Sequence, residues 1–206
     1  MNLSNQKFNI WSSTLKRTED IIISVISLIT LSPLFLIVAI LIKKDSQGPV
    51  FFKQRRYGQA GKEILVWKFR SMTTTDNGDS IQQAQRNDAR VTKIGAFLRK
   101  TSVDELPQLI NVFIGSMSIV GPRPHTVAHN EFYSAKVKNY SARHTINPGI
   151  TGWAQVNGSR GETAELKDME KRIRYDLEYI QNWSIFLDLR IILMTFKTVL
   201  NTRDTY

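Results

Sequence analysis

The stretch IIISVISLITLSPLFLIVAILI, Ile21 to Ile42, runs for 22 residues without a charge. As a straight helix it would measure about 33 Å at ~1.5 Å per residue, enough to cross a hydrocarbon core of about 30 Å. It is too long and too late in the chain for the apolar part of a signal peptide, and no cleavage site follows it. Ser32 and Pro33 interrupt this simple reading. Proline cannot donate the helical hydrogen bond, and its ring clashes with the preceding turn. A preceding serine can offer its hydroxyl to the carbonyl left unpaired, which makes a bend tolerable in lipid. Three arrangements compete: a kinked span, a re-entrant segment that returns on the same side, and a buried core helix. Lys7, Lys16 and Arg17 precede the run, and Lys43, Lys44, Lys53, Arg55 and Arg56 follow it. Positive charge marks the cytoplasmic side. Charge on both flanks favours the re-entrant form, and a spanning helix would still leave the remaining chain in the cytoplasm.

Outward from this segment, composition narrows the class. At 206 residues the chain suggests one domain. It has no cysteine, which excludes disulfide scaffolds, cysteine-ligated zinc, Fe–S clusters and cysteine nucleophiles. Its 42% hydrophobic and 22% charged residues exclude a disordered or fibrous chain. The formal charge is +10, and most of the excess lies between Lys43 and Lys100, where thirteen basic residues face five acidic ones. Anionic headgroups attract such a segment by ~1 kcal/mol per residue near the surface. Phosphorylated substrates would be drawn in the same way. Nucleic acid is the rival partner, but no nucleic-acid motif accompanies the charge.

The sequence predicts an α+β fold. Residues 1–20 read as an N-terminal tail, 21–42 as the membrane helix, 43–200 as a catalytic domain on the membrane surface and 201–206 as a C-terminal tail. Gly48 to Tyr57 and Lys62 to Met72 read as strands of a small β-hairpin turned at Gly58 to Gly61. Thr73 to Asn87 is polar loop or a short helix. Val91 to Lys100 reads as a helix with Ile94, Phe97 and Leu98 on one face. Leu106 to Phe113 reads as another, ended by Gly115. Gly121 to Pro124 is rigid and irregular, and the glycines of Asn147 to Gly161 predict loop. Glu162 to Gln181 is helical. Ile185 to Leu200 is an apolar helix broken by Asp188, Arg190 and Lys197, too charged to span. It is either an interfacial amphipathic C-terminal helix with Trp183 near the headgroups, or an ordinary packed helix.

Asp104 and Glu105 stand out within Thr101-Ser-Val-Asp-Glu-Leu-Pro107. One reading is a capping box with Ser102 as N-cap and Glu105 reaching back. Pro107 would then fall at the fifth helical position, where its missing N–H breaks a bond. A helix starting nearer Asp104 accommodates Pro107 in its first turn and sets both carboxylates at a helix N-terminus, which keeps them ionised. An ionised carboxylate can attack phosphorus, and its neighbour can hold Mg²⁺. Lys68 and Arg70 alternate with Phe69, so a strand would point both to one face. Arg99 lies on the approach to the carboxylates. Arg123, held between two prolines, suits bidentate phosphate binding. Each of these cations could instead serve a salt bridge or a solvated face. His125, His129 and His144 lack a metal spacing and read as surface or loop residues.

These residues fall into an ordered series: Ser32-Pro33, Lys68-Phe-Arg-Ser-Met72, Thr101-Ser-Val-Asp-Glu-Leu-Pro-Gln108, Asn111-Val, Met117-Ser-Ile-Val-Gly-Pro-Arg-Pro124, Pro148-Gly-Ile-Thr-Gly-Trp-Ala-Gln-Val-Asn-Gly158, Asn182-Trp-Ser and Asp188-Leu. In this the chain resembles the monotopic phosphoglycosyl transferases of the bacterial sugar transferase family, from about Arg17 to Leu200. The resemblance implies a phosphosugar transfer from a UDP-sugar donor to polyprenyl (undecaprenyl) phosphate, opening the assembly of a glycan such as O-antigen, capsule, exopolysaccharide or glycoprotein. Asp104 matches the nucleophile, which carries the phosphosugar after UMP leaves, and Glu105 matches the Mg²⁺ ligand. Lys68, Arg99, Arg123 and Asp176 match positions in or beside the active site. Ser32-Pro33 matches the break that returns the helix, with both termini on the cytoplasmic face of the bacterial inner membrane. Ser116 stands where relatives often carry aspartate, so that carboxylate is dispensable. Tyr57 replaces a smaller aliphatic residue. The extra N-terminal membrane helices of longer relatives are absent, which implies a minimal catalytic form. Two other functions compete: a membrane-bound, metal-dependent nucleotide-sugar hydrolase, which would use the same carboxylate and metal, and a non-catalytic membrane-surface adaptor, which would not need Asp104. The identity of the sugar and the oligomeric state, a homodimer included, stay open.

Overall fold

A computed structural model describes residues 10–73, 88–159, 161 and 165–200. Helix α1 runs from Ile10 to Asp45, so helix begins well before the apolar run and takes in much of the expected tail. Pro33 lies inside it. The carbonyl left without a partner by Pro33 is that of Ile29, and Ser32 Oγ donates to it at 2.8 Å. The expected compensation is in place, and helical backbone continues through the dipeptide.

Only 11% of the most apolar window of α1 is buried, which removes the core-helix arrangement. One edge nevertheless rests on the body along most of its length. Ile23, Leu28 and Leu31 pack on the main core, and Leu34, Phe35, Val38 and Ile42 pack around Phe69 and Leu98. The opposite edge exposes Ile22, Ile26, Ile29, Leu36, Ile37 and Ile40. Both ends are tied down by polar groups. Lys16 is buried and pairs with Asp20 at 3.1 Å and Asp188 at 2.9 Å. Asp20 Oδ1 also accepts from Ser118 Oγ and the Ile119 N–H. Arg17 donates to the Val112 and Phe113 carbonyls, in the last turn of the helix that ends before Gly115. At the other end Asp45 accepts the Ile94 N–H at 3.0 Å.

Strands β1 (Phe51–Tyr57) and β2 (Glu63–Phe69) form the expected hairpin, antiparallel from Phe51 opposite Phe69 to Tyr57 opposite Glu63. Helix α2 (Lys93–Thr101) follows, with Thr92 capping it by accepting the Gly95 N–H. A Cβ at Gly95 would strike the Ser71 backbone, so only glycine lets α2 lie this close to the chain leaving β2. Leu98 is buried, but Phe97 is 62% exposed and does not join the expected apolar face. Helix α3 (Gln108–Ile114) ends, as expected, at Gly115 in the left-handed conformation. Its Asn111 grips the free edge of β2, accepting the Trp67 N–H at 2.8 Å and donating to the Leu65 carbonyl at 2.7 Å.

Strands β3 (Ser118–Val120) and β4 (Gly149–Thr151) pair in parallel. Helix α4 (Val127–Ser134) lies between them, and α5 (Trp153–Val156) follows β4. The stretch from Asn147 read as loop therefore holds a strand and a helical turn. Its glycines serve close approach, since a Cβ at Gly149 would collide with the Gly121 backbone. Helix α6 (Leu166–Asn182) carries Met169, Ile173, Tyr179 and Ile180 into the cores. Helix α7 (Ile185–Leu200) buries Ile191 and exposes Phe186, Leu189, Leu193 and Phe196. Trp183 is not at a surface. It is buried and donates Nε1 to Asp188 at 3.1 Å, while the Tyr179 hydroxyl donates to the other oxygen at 2.7 Å. Asp188, which made α7 look too charged, is thus turned inward onto Lys16, Tyr179 and Trp183. Apart from Thr73, the segment Thr73 to Asn87 lies outside the described residues.

Candidate active site

Ser102 takes the left-handed conformation (φ 58°) and closes α2 rather than capping a new helix. Its hydroxyl makes no capping bond, so the capping box does not form. That residue reverses the chain, and Val103–Glu105 make their own 3-10 turn. Pro107 precedes α3, where its missing N–H costs nothing. Asp104 and Glu105 therefore sit between two helices.

Glu105 is the hub of the site. Its Oε1 accepts from Lys68 Nζ at 2.9 Å and from Arg123 Nη2 at 2.6 Å, and Oε2 accepts from Arg123 Nη1 at 3.1 Å. Burial alone would raise its pKa, but the charges of Arg123 and Lys68 and their hydrogen bonds hold it well below the ordinary 4.5. Asp104 is 9% exposed. Burial pushes its pKa up to about 6, with the Glu105 charge adding to the rise and Lys68, Arg99 and Arg123 opposing it. The pair is thus divided in character. Glu105 is a fixed anion clamped by cations, and Asp104 is a desolvated carboxylate at the same cluster. A desolvated anion is the better nucleophile of the two.

Of the expected cations, Lys68 and Arg123 bond Glu105 directly, and Arg99 lies close enough for its charge to act on Asp104. Arg70 does neither. β2 ends at Phe69, so strand alternation no longer governs Arg70, and its buried guanidinium donates to the carbonyls of Ser46 and Gln47. It ties the end of α1 to β2. Asp176 lies away from this carboxylate cluster, in a buried ion pair of its own. It is 2% exposed and paired with Arg143, Oδ2 accepting from Nε at 3.0 Å and Nη2 at 2.8 Å. His125 is not a surface residue either, being 5% exposed with Nδ1 against the Tyr140 hydroxyl at 2.6 Å. Sequence reasoning missed Arg143 and Tyr140. The one available signal was the position of His125 directly after the Pro-Arg-Pro segment.

No group of three or more His, Asp or Glu residues is placed to hold a metal among the described residues. Mg²⁺ does not need one, because it commonly takes one or two carboxylates and completes its shell with water and substrate phosphates. Glu105 is an ionised oxygen donor with a lone pair beyond the three bonds it accepts, and Asp104 adjoins it. The donor set fits that ion. A separate cavity of about 220 Å³, bordered by Lys16, Arg17, Gln59, Thr145 and Asn147, lies by the hairpin turn, at the opposite end of β2 from Lys68.

The sequence model described as Bacterial sugar transferase matches residues 11–202. The chain belongs to that family. This bacterial sugar transferase is 59% identical to a UDP-glucose:undecaprenyl-phosphate glucose-1-phosphate transferase of Klebsiella pneumoniae, across 90% of its own length and 40% of the relative's. It is 49% identical to the exopolysaccharide production protein PSS of Rhizobium leguminosarum bv. phaseoli, across 88% and 92%. It is 41% identical to a UDP-N-acetylgalactosamine-undecaprenyl-phosphate N-acetylgalactosaminephosphotransferase of Aeromonas hydrophila, across 90% and 44%. The bacterial sugar transferase thus spans under half the length of two of these three relatives.

Proposed function

We propose that the chain transfers a sugar phosphate from a UDP-sugar to undecaprenyl phosphate through a covalent intermediate on Asp104. A buried carboxylate beside an ionised Glu105 and three cations carries this reading. An Asp104 oxygen attacks the β-phosphorus of the donor. The bond from that phosphorus to the bridging oxygen breaks, and UMP leaves with the bridging oxygen. A phosphate oxygen of the lipid then attacks the same phosphorus, the aspartyl–phosphorus bond breaks, and the carboxylate is regenerated. Phosphoryl transfer depends on position and charge neutralisation. Lys68, Arg99 and Arg123 supply positive charge around the phosphates, and the Glu105 clamp fixes where two of them stand. Glu105 would hold Mg²⁺, which when bound would supply further charge neutralisation at the phosphates. Glucose is the first sugar to test, from the name of the Klebsiella pneumoniae relative.

Incubation with UDP-glucose alone tests the reaction. The transferase releases a single UMP per enzyme and then stops, resuming turnover when undecaprenyl phosphate is added. Continued release without lipid would instead identify a hydrolase, and no release with any UDP-sugar of a panel an adaptor.

The same proposal includes a re-entrant α1 at the cytoplasmic face of the inner membrane. Both halves of α1 rest on one body, so the apolar edge that faces away can enter a single leaflet only if the helix does not leave that body. The exposed Phe186, Leu189, Leu193 and Phe196 of α7 add a second apolar stripe suited to the interface. The chain has no cysteine, so Asn2→Cys carries a single thiol. In intact cells that thiol is expected to resist a membrane-impermeant reagent, and labelling from outside would establish a spanning helix.

A further inference from the structure

Arg123 projects from a segment with few ways to be held. Pro122 and Pro124 have no N–H, so carbonyls must do most of the anchoring. Each carbonyl from 122 to 124 has a donor. The Gly149 N–H reaches the Pro122 carbonyl at 3.0 Å, Arg143 Nη2 reaches that of Arg123 at 2.7 Å, and Arg56 Nη1 reaches that of Pro124 at 2.8 Å.

Arg143 is the buried member of this set, with 1% of its side chain exposed. One guanidinium serves three directions. Nε and Nη2 meet Asp176, Nη1 lies 2.7 Å from His125 Nδ1, and Nη2 also meets the Arg123 carbonyl. Because Arg143 can only donate, His125 Nδ1 must accept, which requires a neutral ring with its proton on Nε2. Burial and the surrounding Arg143 and Arg172 keep that ring neutral. A buried cation needs a counter-charge, and Asp176 provides it.

We propose that Arg143 is a positioning residue of this enzyme. It locks the Arg123 backbone, and so aims the guanidinium that grips Glu105, while Asp176 acts through Arg143 and never touches substrate. For its kinetic part this rests on the transferase reading above. Lysine at 143 would keep the charge and the Asp176 pair but, as a single point of donation, could not also hold the ring and the carbonyl.

The test uses the full chain in lipid nanodiscs. Arg143→Lys is expected to lower kcat for UMP release by about 100-fold, the scale of an ångström-level misplacement. The donor KM stays within about twofold, because ground-state binding is unchanged. In an Arg123→Ala background the same change is expected to cost no more than about twofold, since both act through one guanidinium. Full additivity there would overturn the proposal. Hydrogen exchange supplies an arm independent of activity: the peptide spanning 121–126 exchanges faster in Arg143→Lys, with α6 unchanged. Unchanged exchange across 121–126 would overturn it too. Should wild type release no UMP, the transferase reading falls while the exchange result still decides the positioning role. Should Arg143→Lys not fold, Asp176→Asn, which removes the counter-charge that holds Arg143 but keeps the side chain's shape, is judged by the same exchange measurement, and unchanged exchange across 121–126 overturns the proposal there too.

Discussion

Asp104→Asn is expected to abolish UMP release, by a factor of about 10⁴ or more, the scale on which loss of a covalent nucleophile is felt. The substitution keeps the shape of the side chain and removes its charge. An amide oxygen does not displace UMP, and no later step can proceed without the intermediate. The variant should fold at least as well as wild type. Burial raises the Asp104 pKa to about 6, which means that the folded protein holds this carboxylate against its preference. Removing the charge relieves that opposition. A melting temperature equal to or above wild type, together with lost activity, separates a chemical role from a structural one. The decisive measurement is the mass of the intact chain after incubation with UDP-glucose alone. Wild type gains one hexose phosphate, located on Asp104 by peptide mapping, and the variant gains none. An adduct elsewhere, or near-normal turnover in Asp104→Asn, would sink the mechanism.

What could be read in the sequence was decided by local physics. The hairpin was legible because Gly58 and Gly61 bracket a turn between two apolar-rich runs. The end of α3 was legible because Gly115 takes a conformation that glycine adopts cheaply. The Ser32–Ile29 bond followed from what proline lacks. The carboxylate pair and three of its cations followed from charge and spacing. Failures came where partners are distant in sequence. Arg70 reads like Lys68, yet Ser46 and Gln47 claim it. Asp188 reads as a charge that interrupts an apolar helix, and Trp183 in one of two readings as a headgroup residue, until Lys16, far back in the chain, turns the aspartate inward. Strands β3 and β4 are three residues each and pair across a long crossover, so neither shows a period. Ser102 carries no sign that it would adopt a left-handed backbone, and that one residue decides how the two carboxylates are presented. Arg143 is invisible in sequence because its meaning lies in partners from two distant segments, Arg123 and His125 on one and Asp176 on the other.

Glu105→Gln is the second large loss expected, about 10²–10³-fold in kcat, the cost of removing one preorganised electrostatic group. The carboxylate now neutralises Lys68 and Arg123 at 2.9 and 2.6 Å. Glutamine offers one acceptor oxygen and turns an NH₂ group toward two donors. Lys68 and Arg123 would then repel each other, and Lys68 would be free to move onto Asp104 and blunt its attack. The side chains involved are 16–28% exposed, so solvent softens the stability loss to about 1–3 kcal/mol, below that of a fully buried pair. Its pH signature has a definite sign. The folded pKa of Glu105 lies below the ordinary 4.5, so its stabilisation is complete above pH 4.5 and is lost as pH falls further. Glu105→Gln should lack that acid limb in a plot of melting temperature against pH. Glu105→Asp, which keeps the charge but shortens the reach, should fall between the two in activity. The metal role is read separately. Chelation should silence wild type, Mg²⁺ should restore it, and the Mg²⁺ concentration for half-maximal activity should rise at least about tenfold in Glu105→Gln, in keeping with a lost carboxylate ligand. An unchanged Mg²⁺ requirement would remove Glu105 from the metal and leave it only the task of aligning Lys68 and Arg123.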